Sequence, residues 1–476
     1  MSTVLGPQLS RLRSSAGDSA IYFSTVVAAQ VASLVLLPIL TRYLGPEAFG
    51  QYSLALAVTG LLGALGSTWV RNVGMRLYFD HVADGRTRAF FWTASVLQAV
   101  SMGGVLLLAY PFVRLAGSAI PVALYGWAGA SVMVTDFYSM GLNTLRAGHR
   151  PLSFGLAEWT NSIVRLAITW GVLALGFRSA TMLFACVTFS MVLASFVALR
   201  GLGQVLVGPM DVDRGMAREL VVLGVQSIPS SFSGWLISLS DRLLIAYFLD
   251  VRAVGIYSAA YGVADRAVNG LASGLYMSTG PAILRSWAEA GERAAGTISS
   301  YLALYVAVTL GPCVLLIQQR DFVLQVLTGS AFASAGAVVP WVVAGVWLAG
   351  VATYLNRPLE LTKRFGMYSV ISTVGAALNV AINVVLIPAF GVAGAAAGTF
   401  GALLGFTALS HYVGRRALVV PIPWRSIGWT TGATVLASGA SMLVRVPWMA
   451  IGVFGVVYAA CVGAAWLHQE ANSART

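Results

Sequence analysis

YLGPEAFGQYSLALAV at residues 43–58 returns as FLDVRAVGIYSAAYGV at residues 248–263. With a shift of 205 the two match at Leu44/Leu249, Ala48/Ala253, Gly50/Gly255, Tyr52/Tyr257, Ser53/Ser258, Ala55/Ala260 and Val58/Val263. Each segment joins the end of one long apolar stretch to the start of the next. A helical hairpin repeated at about half the chain length is the mark of a membrane protein built from two related lobes. Chance similarity is the competing explanation in a chain rich in alanine and glycine. Seven identities in sixteen positions, at the same place in two hairpins, favour duplication.

Composition names the solvent. Of 476 residues, 58% are hydrophobic and 10% charged, and the mean hydropathy is +0.80. A soluble domain carries about a quarter charged residues, so this chain cannot cover a wet surface and its solvent is lipid. A helix lying flat on a membrane would carry regular charge on one face, which is absent. The net charge is +12, from 29 Lys+Arg against 17 Asp+Glu, and Lys363 is the single lysine. No basic run interleaved with aromatics appears, so nucleic acid is not an expected partner. Cys186, Cys313 and Cys461 lie far apart in apolar stretches and read as packing residues. His81, His149, His411 and His468 are isolated, and a solvated loop side chain explains them better than a metal ligand. The first apolar run follows a mixed segment containing Arg11 and Arg13, and it is too long for a signal-peptide core.

Fourteen apolar stretches, at about 19–41, 49–70, 89–110, 118–142, 155–176, 180–199, 220–248, 254–279, 298–318, 336–356, 367–388, 391–412, 426–444 and 448–467, predict helices. Lipid offers the backbone no partners, so apolar stretches of this length must be helical. With a cytoplasmic N-terminus, 20 of the 29 basic residues fall in inward loops and tails and 6 in outward loops, a positive-inside pattern. The even span number returns the C-terminus to the cytoplasm. The expected fold class is an all-α polytopic membrane protein of about 14 transmembrane helices. Its expected parts are a six-helix lobe over 1–199, a cytoplasmic linker over 200–218, a second six-helix lobe over 219–412, and two extra helices with a tail over 413–476. Six spans per lobe give the repeated hairpins one orientation, which predicts a pseudo-symmetry axis along the membrane normal. For the extra helices structural padding is expected first, with a channel for a lipid tail or a partner as the alternative. Gly270/Gly274, Gly394/Gly398 and Gly401/Gly405 have GxxxG spacing and predict close helix packing within the bundle rather than dimerisation. Pro38, Pro229 and Pro388 fall in or at the ends of spans, as helix breaks at a gate or as tolerated kinks.

Motifs for a nucleotide-driven motor, a metalloprotease or a nucleophile elbow are missing, and the loops are too short for a catalytic domain. An enzyme is therefore not expected. Charge inside the spans is costly and marks function by default. Arg165 falls near the middle of span five and Asp136 in the inner half of span four, about 6 Å apart in depth. Asp241 and Arg242 lie in the outer third of span seven, Asp265 and Arg266 near the middle of span eight, and Glu158 toward the cytoplasmic end of span five. Neighbouring residues point about 100° apart on a helix, so Asp241 and Arg242 are not expected to share a direction. For each of these residues a buried ion pair that fixes packing is the competing explanation, while the set as a whole favours function. Arg165, Arg242 and Arg266, with no intramembrane lysine, suit bidentate recognition of an anion such as a diphosphate. The carboxylates Asp136, Asp241, Asp265 and Glu158 suit binding of a coupling ion, H⁺ or Na⁺. No other cofactor and no metal is expected.

LPILTRYLGPEAFGQYSLALA (37–57), DRLLIAYFLDVRAVGIYSAAYGVADR (241–266) and LNVAINVVLIPAFGVAGAAAGTF (378–400) resemble the polysaccharide transporters of the MOP exporter superfamily, above all the Wzx-type flippases of lipid-linked oligosaccharides. The resemblance runs from about residue 18 to 412 and touches both lobes. It implies two six-helix lobes around a basic central cavity and alternating access coupled to a cation gradient. It further implies movement of a polyprenyl-diphosphate oligosaccharide between the leaflets of the bacterial cytoplasmic (inner) membrane, for O-antigen or exopolysaccharide assembly. By position it points to Arg42 on the first hairpin and to Asp241, Arg242, Asp265 and Arg266 on the second. Asn379 and Asn383, one turn apart in span eleven, then become candidate sugar contacts. Expected partners are the lipid-linked oligosaccharide, membrane lipid and other polysaccharide-assembly membrane proteins. The peptidoglycan-precursor flippase of the same superfamily uses a cluster of cavity arginines, and this chain has no comparably dense set in its first span. The alternatives are a cation-coupled multidrug antiporter of the superfamily and a membrane glycan polymerase. The first would expect an acidic, aromatic cavity and the second a large charged outer loop.

Overall fold

A computed structural model describes residues 2–83, 85–115 and 121–473. Helix dominates the described residues and covers most of each of the fourteen predicted spans. The chain is a multi-pass, all-α membrane protein. Eight described helical stretches are long and apolar enough to cross a bilayer, and two of them, Val251–Gln318 and Phe365–Gly414, each contain two predicted spans. Spans one, four, five and thirteen are also helical; four and five are the ones that carry Asp136, Glu158 and Arg165. Side chains such as Leu107, Leu108, Leu443 and Val456 are more than two-thirds exposed. That arrangement is stable only against hydrocarbon, because in water so many exposed apolar side chains would drive aggregation.

The backbone divides into two compact units, 1–235 and 236–476. The first contains α1 (Ser2–Tyr43), α2 (Pro46–Gly66), α3 (Thr68–Ala83), α4 (Thr87–Leu115), α5 (Val122–Ala147), α6 (Pro151–Ala174), α7 (Ala180–Leu202) and α8 (Arg214–Gly224). Its interior holds Phe90, Phe91, Leu145, Ala157 and Ala194, all fully buried. The second unit takes over partway along α9 (Ile228–Phe248). It continues with α10 (Val251–Ala290), α11 (Ala294–Gln318), α12 (Arg320–Thr328), α13 (Val339–Leu355), α14 (Arg357–Leu361), α15 (Phe365–Gly414), α16 (Trp424–Met442) and α17 (Pro447–Ser473). Both copies of the repeated segment are helix–turn–helix junctions. Gly45 precedes α2 with Pro46 at its first position. Asp250, 205 residues on, caps α10 by accepting the Ala253 N–H at 2.6 Å. Either device closes a helix start whose amides have no partner.

Three segments read as loops or spans from sequence are more structured than expected. Predicted span two ends at a turn at Ser67, and α3 begins beyond it. The segment 319–335, read from sequence as an outward loop, is mostly helical, because Leu324 and Thr328, one turn apart, give α12 a buried edge. Spans eleven and twelve form one element, α15, broken at Gly391, whose φ of 61° favours glycine. The GxxxG glycines 394, 398, 401 and 405 pack against the preceding limb of that element, near Leu386, Asn383, Ile382 and Leu378 respectively. Gly270 and Gly274 have open space around the Cβ position.

The segment after α7 is pinned by polar contacts. Asp213 caps α8 by accepting the Met216 N–H at 2.8 Å, and its carboxylate also takes a hydrogen bond from Arg86. The Asp213 N–H donates to Thr93 Oγ1 at 2.9 Å, and Arg88 donates to the Val207 carbonyl at 2.7 Å. The bond from the Met216 amide, and after it Arg86, holds the Asp213 carboxyl below the usual aspartate value. A lowered folded-state pKa contributes stability above the ordinary value, and that stability is lost as pH falls through the folded value. The melting-temperature difference between wild type and Asp213→Asn should therefore be largest at neutral pH and shrink on acidification.

Packing also explains the last two helices. Pro312 in α11 removes one backbone donor. One residue earlier, Tyr458 of α17 enters the helix ladder: its hydroxyl accepts the Gly311 N–H at 3.3 Å and donates to the Ala307 carbonyl at 2.6 Å. The bond expected between Gly311 and Ala307 is thus relayed through a tyrosine. The ring lies where a Cβ at position 311 would stand, so only glycine fits. Tyr458→Phe should destabilise the chain by about 1–3 kcal/mol, the penalty of buried groups left unpaired. Thermal unfolding in detergent against wild type measures it.

Candidate functional site

The two charged residues of span seven form a buried cluster in the second unit with tyrosines of span eight. Asp241 is 1% and Arg242 7% exposed. Arg242 Nη1 donates to Asp241 Oδ1 at 2.6 Å and to the Ser238 carbonyl at 2.7 Å. The guanidinium also lies over the rings of Tyr261 and Tyr257, at 4.4 and 5.5 Å from their centroids. Asp241 further accepts the Arg242 N–H at 2.8 Å and the Tyr257 hydroxyl. This corrects the expectation that neighbours on one helix point to separate partners. The 100° separation applies to the Cα–Cβ directions, and the arginine chain is long enough to curl back. Burial provides the reason: two charges away from water are tolerated only when paired and hydrogen-bonded.

The cluster extends through oxygen and amide groups. The Tyr257 hydroxyl is 3.5 Å from Thr399 Oγ1 in the second limb of α15. Ser240, beside Asp241, donates to Asn379 Oδ1 at 3.3 Å, and Asn383 Nδ2 reaches the same oxygen at 3.3 Å. Asn379 and Asn383 are both 0% exposed. The Asn383 Oδ1 and Asn379 Nδ2 atoms are buried with no hydrogen-bond partner among the described residues. Three helices therefore bring a carboxylate, hydroxyls and carboxamides to one place inside an apolar unit. No group of three or more His, Cys, Asp or Glu suited to a transition metal occurs among the described residues. Oxygen donors around one carboxylate instead suit a proton or an alkali cation. Farther along α10, Asp265 accepts from Asn269 Nδ2 at 2.8 Å. Arg266 is half-buried and donates to the Gly262 carbonyl at 2.9 Å.

In the first unit the remaining candidates form two smaller sets. Asp136 is 3% exposed, and Arg71 Nη1 stands 3.6 Å from its Oδ1. Glu158 accepts the Tyr138 hydroxyl at 3.1 Å, and Arg146 and Arg165 lie close enough to act on its charge. Arg165 is half-buried in α6, and Arg42 is exposed in the last turn of α1.

Tyr257, Tyr261, Thr399 and Ser240 were not singled out from sequence. A signal existed for Tyr257, which matches Tyr52 in the repeated hairpin. The same 205-residue shift puts Leu36 and Leu37 opposite Asp241 and Arg242. Those leucines are buried, and Tyr52 packs its ring 5.5 Å from Phe184. One copy of the hairpin is thus an apolar core, and the other carries an ion pair on the same framework.

Known proteins agree with this architecture. A family described as polysaccharide biosynthesis protein matches residues 16–287. The probable low-salt glycan biosynthesis flippase Agl15 of Haloferax volcanii is 22% identical over 406 residues, covering 84% of this chain and 83% of that protein. Among solved structures, the lipid II flippase MurJ in an inward closed conformation matches with a TM-score of 0.75 at 12% identity, covering 95% of this chain and 99% of that one. An inward-facing multidrug resistance MATE family transporter of the MOP superfamily matches at 0.60 and 13% identity, covering 81% and 94%. Such low identities speak for a shared fold alone. The family match, spanning more than half of the residues, carries further: this chain belongs to the polysaccharide biosynthesis protein family.

Proposed function

We propose that this protein is a flippase that carries a polyprenyl-diphosphate-linked oligosaccharide across the bacterial cytoplasmic membrane, for O-antigen or exopolysaccharide assembly, driven by H⁺ or Na⁺. The observation that carries the proposal is the buried charged and polar cluster around Asp241 inside the apolar helices of a polysaccharide biosynthesis family member. Moving a bulky polar head group through hydrocarbon needs a protein path for the head while the tail stays in lipid. It also needs a site whose occupancy biases one conformation over another. Arg266, Arg165 and Arg42 are the proposed ligands of the diphosphate, since guanidinium groups bind phosphate bidentately. Arg242 is committed to Asp241, and we place it with the coupling site rather than with the diphosphate. Asn379 and Asn383, read from sequence as sugar contacts, join Asp241, Tyr257 and Thr399 there because of their burial. Asp265, Asp136 and Glu158 remain proposed ion-coupling carboxylates. The similarity to a protein named as a probable glycan flippase supports this reading over the drug-antiporter alternative.

Two experiments test it. Arg266→Ala should abolish surface polysaccharide export at normal protein levels; unchanged export removes Arg266 from the mechanism. Asp241→Asn leaves Arg242 buried without its counter-ion and should destabilise the fold by about 3–5 kcal/mol. The double variant Asp241→Leu/Arg242→Met removes both charges and should regain most of that stability. Export in proteoliposomes should nevertheless stay absent in the double variant. Recovery of transport along with stability would reduce the pair to a packing device.

A further inference from the structure

The second unit holds a cavity that the transport proposal does not use. It has a volume of about 430 Å³ and lies where α13 ends and α15 begins, with Asn356, Arg357, Glu360, Phe365, Tyr368 and Phe406 among its walls. Asn356 is 8% exposed, and its Oδ1 is buried with no hydrogen-bond partner among the described residues. Arg357 gives Nη1 to Glu360 Oε2 at 2.6 Å, while its buried Nε–H meets no acceptor among the described residues. Two neighbouring residues of the cavity wall thus each carry a buried polar atom without a partner among the described residues. Buried groups of this kind are normally paired, so two such residues side by side in the wall of one cavity point to a ligand that completes their polar contacts.

The surroundings give that ligand its charge and shape. Lys363 and Arg364 lead directly into α15. Gly414, at the far end of α15, packs against the Leu355 carbonyl and Pro358, which brings Arg415 and Arg416 to the same end of the unit. Between residues 339 and 425 the one acidic residue is Glu360, and it is 47% exposed on its side chain, where water weakens its field. Phe365 and Tyr368, 59% and 40% exposed, give the cavity wall apolar surface. Basic pockets beside apolar helix faces suit anionic lipid head groups.

We infer that this cavity is a lipid head-group site: the Arg357 guanidinium holds a phosphate ester, the Asn356 carboxamide hydrogen-bonds a neighbouring hydroxyl, and an acyl chain runs over Phe365 and Tyr368. Phosphatidylglycerol has this chemistry, and so does the glycosyl diphosphate end of a polyprenyl lipid. The test is binding to the purified, delipidated full-length protein, read by native mass spectrometry and melting temperature, independently of export. The probes are phosphatidylglycerol, phosphatidylcholine and inorganic phosphate. Phosphatidylglycerol should bind at least tenfold more tightly than phosphatidylcholine. Arg357→Gln should weaken it about tenfold and Asn356→Leu several-fold, while Glu360→Gln, which releases Arg357, should tighten it. Displacement of phosphatidylglycerol by a polyprenyl-diphosphate oligosaccharide, lost in Arg357→Gln, would support the site and name the transported lipid as its occupant. Equal binding of the two phospholipids, an Arg357→Gln affinity equal to wild type, or equal stabilisation by inorganic phosphate alone would overturn the proposal. If Arg357→Gln fails to fold, Glu360→Gln decides: unchanged or weaker phosphatidylglycerol binding sinks it.

Discussion

Hydrocarbon supplies no hydrogen bonds, and the details of this structure follow from that constraint. A backbone or side-chain polar group inside a span must find its partner within the protein. Where Pro312 interrupts α11, the Tyr458 hydroxyl bridges Gly311 and Ala307. Where α15 turns back at Gly391, small residues let its limbs close on each other. Where a charge must be buried, Asp241 and Arg242 satisfy one another and enlist Tyr257 and a backbone carbonyl. Serine and threonine hydroxyls along the helices return to carbonyls three or four residues back, as Thr309, Thr399 and Thr407 do.

The same constraint gives the unsatisfied groups their meaning. In water an unpaired carboxamide costs little, because solvent completes it. Inside these helices the Asn383 oxygen and the Asn356 oxygen are among the buried polar atoms left without a partner among the described residues. The first stands beside a carboxylate and hydroxyls in a fully apolar setting, which suits a small cation or a proton. The second belongs to a residue in the wall of a cavity with an arginine and aromatic side chains, which suits a larger anionic amphiphile. Selection acting on a duplicated hairpin could place charge in one copy and leave the other apolar, since the framework of capped turn and packed tyrosine tolerates both.

Much of this was legible in the chain. The helices could be placed from hydropathy, because a span of that length has no alternative structure in lipid. The duplicated hairpin was visible because turn residues and a tyrosine recur at one spacing. Asp136, Glu158, Arg165, Asp241, Arg242, Asp265 and Arg266 stood out because charge is rare in such helices. Ser240, Thr399 and Tyr257 were harder to see: hydroxyl-bearing residues are common in membrane helices, and most of them merely bond their own backbone. The helical state of 320–328 was missed because one buried edge of two residues leaves little periodicity to read.

The amino-acid order by itself therefore determined the solvent, the helical class, the approximate count of the spans, and the short roster of costly residues. All of these depend on composition and local spacing. The tertiary structure alone decided which of those residues meet. A long arginine side chain can curl back to its neighbour or reach across to another helix at similar expense, and Asp241 lies more than a hundred residues from both Asn379 and Thr399 along the chain. Only the packing of α9, α10 and the two limbs of α15 chooses among those outcomes, because it alone decides which polar groups lose water together.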